Sequence, residues 1–235
     1  MRVLLVFCLL FFSVVGQSVG DSQPKMGKNP LSSQVVPKFA SMQIELEALS
    51  SNAEDIYDLA KMDKWHKVRK KLDKLKESAN AIKLLRNEEN DFLSQRLTTK
   101  IEDLEQAISA KNKKDTLRFV NNITLLEIAM IGELKPRVPT NVMLLDYCGR
   151  ELEILSEEKD IDKLSNLVVR MHLIWQNIIP QLIDKGATKE IKTFSEIMTH
   201  LERAKTPEEY NHIAKHVLDE VDNLEKIFKV KDPRP

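Results

Sequence analysis

The feature that most restricts this chain is a near absence of helix breakers. From residue 38 to residue 229 only Gly132, Gly149, Gly186, Pro136, Pro139, Pro180 and Pro207 can interrupt a helix. A sheet protein of this size needs many tight turns, and those turns draw on Gly, Pro, Asn and Asp. Here Leu, Ile, Glu and Lys dominate, and 31% of residues are charged. Both facts favour helices, and no alternation of apolar and polar residues runs long enough to build a sheet.

Apolar residues recur at three-to-four spacing in successive windows. Residues 38–61 carry Met42, Ile44, Leu46, Leu49, Ile56 and Leu59. Asp63 is placed to cap a second helix containing Val68, Leu72, Leu75, Ala79 and Ile82. A third spans about 88–110 and a fourth runs from Asp115 to Leu134. Pro136 and Pro139 then break the chain, since each disfavours helix before it. A fifth helix runs from Thr140 to Glu158, and Asp160 is placed to cap a sixth, which Pro180 should kink or end. Residues 188–204 form a seventh, and Thr206 starts the last.

The two halves resemble one another. LEQAI at 104–108 answers LERAK at 201–205, Leu59 answers Leu155 and Val68 answers Leu164. The expectation is an all-α fold of about eight helices: two antiparallel four-helix bundles in tandem, residues 38–135 and 140–230, related by internal duplication. Short connections favour antiparallel neighbours.

Ahead of the bundles, Arg2 precedes an apolar run from Val3 to Val15, and Ser18 and Gly20 stand before Asp21. That is the pattern of a secretory signal peptide over residues 1–20, too short to span a membrane. Residues 21–37, rich in Pro, Ser and Gly, read as a flexible linker. The expected location is therefore the bacterial periplasm or the extracellular space, with no membrane span after cleavage. Cutting the leader removes Cys8 and leaves Cys148 alone, so no disulfide framework supports the fold. Lys and Arg number 36 and Asp and Glu 36, a balance that gives no global field to attract nucleic acid.

Three stretches carry candidate function. In TPEEYNHIAKHVLDE, residues 206–220, His212 and His216 lie four apart, with Asp219 close by. Histidines at that spacing can share a divalent metal ion, and a strong site needs a third or fourth ligand, for which His200 and His172 are the other candidates. Thr206 and Glu209 form a capping box with Pro207 at the first helical position. On a helical wheel His216 falls about 100° and His212 about 145° from the apolar stripe, toward solvent. A haem would need an inward His or Met, and Met171-His172 is the pair to test. The second stretch, residues 61–83, has nine Lys or Arg against three acids. Lys64, Lys67, Lys70, Lys71 and Lys74 are the candidate partner-binding residues, for an anionic protein or envelope component. The competing reading pairs this helix with the acidic segment 208–225, within the molecule or across a homodimer. In the third, Cys148 shares a seam with Leu145, Leu152 and Leu155, which places it in a core.

Signatures of catalysis are missing: no G-x-S-x-G, no glycine-rich phosphate loop and no H-E-x-x-H occurs. The sequence therefore points to an exported, non-enzymatic binding protein whose partner is a protein or an envelope component. The alternative is a periplasmic bundle that binds metal or haem through His212 and His216.

Overall fold

In a computed structural model of the chain, residues 32–86 and 92–229 are described, and among them every regular element is helical. The helices are α1 (Ser32–Lys61), α2 (Trp65–Arg86), α3 (Phe92–Ser109), α4 (Lys113–Gly132), α5 (Thr140–Glu158), α6 (Ile161–Asp184), α7 (Thr188–Arg203) and α8 (Pro207–Lys229). The all-α expectation holds. Residues 1–20, read as a leader, and most of the segment read as linker lie outside the described residues, while α1 begins at Ser32, inside that second segment.

Buried apolar side chains form two clusters. One joins α1 to α4 around Leu46, Leu49, Ile56, Leu75, Ile82 and Leu104. The other joins α5 to α8 around Val142, Leu145, Met171, Trp175, Phe194 and Val217. Within each group of four, every helix packs against the next and the first packs against the last. The buried positions keep step. Leu46, Leu49, Val68 and Ile82 each stand 96 residues before Val142, Leu145, Leu164 and Ile178, and all eight side chains are sealed from solvent. From the third helix on the offset is 97, as in Leu104 with Leu201 and Val120 with Val217.

Several local expectations fail for identifiable reasons. Ile44 points outward at 63% exposure, because the inward stripe runs through Met42, Leu46, Leu49 and Ala53 and leaves Ile44 on the far side. Asp63 does not cap α2. Its φ is 56°, and it closes the C-terminus of α1: Lys64 N–H reaches the Leu59 carbonyl at 2.9 Å and Asp63 N–H the Ala60 carbonyl at 3.0 Å. That is a Schellman motif. Lys159, the residue 96 positions on, repeats it after α5 with φ 58°. Asp160 caps α6 as expected, accepting from Lys163 N–H at 3.1 Å. Pro180 neither ends nor interrupts α6, which continues to Asp184. Pro180 and Gln176 lie on the solvent side, so the carbonyl that Pro leaves free can be hydrated, and Leu182, sealed in the core, holds the last turn down.

α5 and α8 approach closely at Gly149, where a β-carbon would meet Leu218 Cδ2 at 2.7 Å and Val217 Cγ1 at 3.2 Å. Its counterpart in α1 is Ala53, also a small residue and 1% exposed.

The left-handed turns are a stability reserve. A side chain in that conformation costs on the order of 1 kcal/mol relative to glycine. Lys159→Gly should therefore raise the melting temperature by about 2–4 °C, and Gly186→Ala, at φ 71° with open space around it, should lower it by a similar amount. Differential scanning calorimetry of the two variants beside the parent checks both signs.

Candidate functional site

A cavity of about 680 Å³ lies where the two groups of helices meet. Its walls come from α1, α4, α5, α8 and the connection between α4 and α5. Among the described residues, the only helix pair whose backbones pack together across this boundary is α4 with α5. The remaining contacts are made by long side chains. Into the cavity project Glu47 and Glu54 from α1, Glu127 from α4, Asp146 from α5 and Glu225 from α8, with Arg137 and Lys229 as the lining cations.

Arg150 organises one wall. Its Nη2 lies 2.9 Å from Asp146 Oδ2 and 3.7 Å from Glu54 Oε1, and its guanidinium stacks 5.5 Å from the centre of the Tyr57 ring. Tyr57, 1% exposed, donates its hydroxyl to Glu153 Oε2 at 2.9 Å, and the Arg150 carbonyl is 3.3 Å away. Lys61 then closes on Glu153 at 2.7 Å. This chain of contacts ties α1 to α5.

Glu127 is the most deeply placed of the acids, at 2% exposure. Loss of solvent pushes its carboxyl up to about 8, nearby Glu54, Asp146 and Glu225 push the same way, and a hydrogen bond from Ser50 opposes them. Burial lifts Asp146 to about 6 against the pull of Arg150. It likewise lifts Glu54 to about 7, again opposed by Arg150, although the Glu54 side chain is 48% open to solvent and so is more screened than the other two. Carboxyls that hold protons near neutrality are the groups that sense pH or a bound cation. The sequence reading missed this cluster, because its members come from four helices. One signal was available: Glu127 sits alone in the apolar run ITLLEIAMI, residues 123–131.

The histidine pair falls elsewhere. His212 and His216 are exposed on α8, their rings edge to face with centroids 5.4 Å apart. They line a groove of about 560 Å³ between α7 and α8 together with His200, Arg203, Glu196, Glu209 and Ile197. Asp219 does not line it. His172 is on α6, with Nδ1 2.7 Å from Glu202 Oε1 and Nε2 2.6 Å from Gln176. Met171 faces the core while its neighbour His172 does not, so the two do not converge on one cofactor. Among the described residues no three His, Cys, Asp or Glu side chains are grouped to hold one ion. Glu209 has the structural task expected of it, accepting from the backbone N–H of Thr206 at 3.1 Å while Thr206 Oγ1 accepts from Glu209 N–H at 3.3 Å.

Lys64, just ahead of α2, and Lys67, Lys70 and Lys74 on it are exposed, as is Arg69. Lys71 is half-buried and pairs with Asp55 of α1. The acidic segment of α8 does not face this helix: α2 borders α1 and α3, whereas α8 borders α5, α6 and α7. Pairing of the two inside the molecule is thereby ruled out, because they belong to different bundles. Cys148 lies in the second core at 3% exposure, and burial pushes its thiol up to about 12. It packs as an apolar group.

No known protein family matches this chain, and comparison with curated proteins and with solved structures likewise finds no match.

Arg150 is the cation closest to the buried acids, so its removal should cost more than an ordinary surface pair. Arg150→Gln leaves Asp146 uncompensated and should destabilise the fold by about 3 kcal/mol at pH 7. Below pH 6, where Asp146 can take up a proton, the penalty should shrink. Urea melts of parent and variant at pH 7 and pH 5 measure the difference.

Proposed function

We propose that this chain is an exported, non-enzymatic binding protein built by duplication of a four-helix unit, and that it meets an anionic protein or cell-envelope component through the outer face of α2. The supporting observation is the row Lys64, Lys67, Lys70 and Lys74, exposed and without an acidic partner among the described residues. Like charges three and four apart on a helix repel one another, and a partner carrying acids would relieve that repulsion. A row of lysines along one helix face suits a partner that lays acidic charges along a line. On the helix itself, Lys67 to Lys74 cover about 10 Å of axis at 1.5 Å per residue.

Other features of the molecule agree with a binding role. The described residues include no helix long and apolar enough to cross a membrane, and outside its ends the outer face of α2 is interleaved with Asp73 and Glu77 rather than apolar residues. A helix that inserts into a lipid surface carries exposed apolar residues beside its cations, so a protein or polymer acid fits this face better than a bilayer. The reading of a metal- or haem-binding bundle has less geometry behind it. His212 and His216 face solvent, and although His200, Glu196 and Glu209 line the same groove, among the described residues no three such side chains are grouped to hold one ion.

The test uses the mature chain, residues 21–235, and an immobilised polyglutamate resin. The parent should bind at low salt and elute as salt rises, since screening weakens exposed charge pairs. Reversing Lys64, Lys67, Lys70 and Lys74 to Glu should abolish retention while the helical content and the melting temperature stay near those of the parent. Retention equal to that of the parent in the folded variant would remove α2 as the binding face.

A further inference from the structure

The two apolar clusters are each complete within their own four helices, apart from Ile154 of α5, which packs into the first, and half-buried Met143, which touches both. The boundary between them is otherwise polar. At one end of the α4–α5 seam, Arg118 and Lys114 pair with Glu158 at 2.5 and 3.2 Å, and Asn121 donates to Glu151 at 2.9 Å. At the other end lies the acidic cavity.

The charges there do not balance around Glu127. From α1 it is faced by Glu54 and the Ser50 hydroxyl, with Glu47 on the same wall. From α5 come Asp146 and Arg150, and from α8 come Glu225 and Lys229, with Asp222 beyond. Arg137 comes from the connection. Each cation is already engaged. Arg150 holds Asp146 and reaches Glu54, Lys229 pairs with Glu225, and Arg137 donates to the Lys229 carbonyl at 3.2 Å. None is paired with Glu127 among the described residues.

We propose that this junction is a pH-operated clamp: with Glu127 protonated the two four-helix units pack as one body, and with Glu127 ionised the α4–α5 seam loosens and the units uncouple. A neutral carboxyl is tolerated beside Ile128 and Ile131, whereas an unpaired buried charge is not. Relief comes from letting water reach the carboxylate, and the seam is where water can enter without opening either core.

The pH window follows from the direction of the shifts. Glu127 and Asp146 both hold their protons more tightly in the folded chain than in the unfolded one, reaching about 8 and about 6. The stabilisation they give is complete below the ordinary carboxylate range and is lost as pH rises through those values. Glu158, at the other end of the seam, behaves oppositely. Its slight desolvation raises it, but hydrogen bonds from Lys114 and Arg118 hold it below its usual value, so its contribution fades only in stronger acid. The clamp is therefore tightest in mild acid and opens toward alkaline pH. It operates independently of the basic face of α2, which lies on the outside of the first unit.

Hydrogen exchange read by mass spectrometry on the intact mature chain tests this at pH 5.5 and pH 8.5, with rates corrected for the intrinsic pH dependence of exchange. Peptides from the end of α4 and the start of α5 should lose protection at pH 8.5 by at least about tenfold, the factor set by one unit of pKa, relative to α2 and α6 in the same sample. Glu127→Gln, which keeps the shape of the neutral acid, should hold protection at both pH values. A uniform change across all helices would overturn the clamp, as would a Glu127→Gln protein that loosens like the parent. Should Glu127→Gln fail to fold, Glu54→Gln gives a second test at a half-exposed position. Removing that neighbouring charge should move the loosening midpoint to lower pH, and a midpoint unchanged or moved upward counts against the proposal.

Discussion

The arrangement of the whole molecule depends on how two finished cores are held side by side. Each four-helix unit buries most of its own apolar stripes, and apart from Ile154 and Met143 of α5 little hydrophobic surface is hidden by the other unit. What remains between them is the α4–α5 seam and a set of polar side chains led by Arg150, Tyr57, Glu153 and Asp146. A junction of this kind is specific in geometry but modest in energy, because desolvating charges offsets much of what their attraction returns. The strength of the junction can therefore be set by protonation, which an apolar interface would not permit.

The sequence made the helices legible because their signals are local. The capping box of Thr206 and Glu209, the cap at Asp160 and the stripe Tyr210, Ile213, Val217, Val221, Leu224 and Phe228 can each be recognised within a few turns, and each is present, with Ile213 only half-buried at the edge of the stripe. Legibility ended where partners lie far apart in the chain. Tyr57 and Glu153 are separated by 96 positions, and nothing in either window announces the other. On its own helix an acid such as Glu47 or Glu54 reads as an ordinary solvent-facing residue, and only the neighbouring unit turns it into a cavity wall. Asp63 was misread for a related reason. Asp is both a helix N-cap former and one of the few residues that tolerate the left-handed region, and the choice between the two is made by how α1 must end.

The candidate site was legible to a different degree in each case. The lysines of α2 were visible as a charge run, and the structure adds that Lys71 is already paired while four others are not. The histidine pair is visible as a spacing, and helical geometry alone puts it outside the core; the structure adds His200 across the groove, which no local pattern could supply. Glu127 was visible only as an anomaly, one acid in an apolar run, and an anomaly of that kind deserves the weight usually given to a motif.

The matched registers of the two units make their differences informative. At positions 96 apart the outer face of α2 carries Asp73 and Glu77 where α6 carries Val169 and Leu173, and Lys70 and Lys74 where α6 carries Asn166 and Arg170. Val169 and Leu173 are exposed at 61% and 57%, so packing explains neither choice. Most buried positions answer to a core that tolerates little change in volume and are apolar in both units, whereas buried Glu127 stands 97 residues before apolar Leu224. Outer positions answer only to solvent and to whatever the surface meets. Two helices with matching inner faces and different outer ones, α2 rich in lysine and α6 mixing Val169 and Leu173 with Asn166 and Arg170, are therefore free to serve different contacts on a single frame. The polar junction then decides how rigidly those two outer faces are presented to one another.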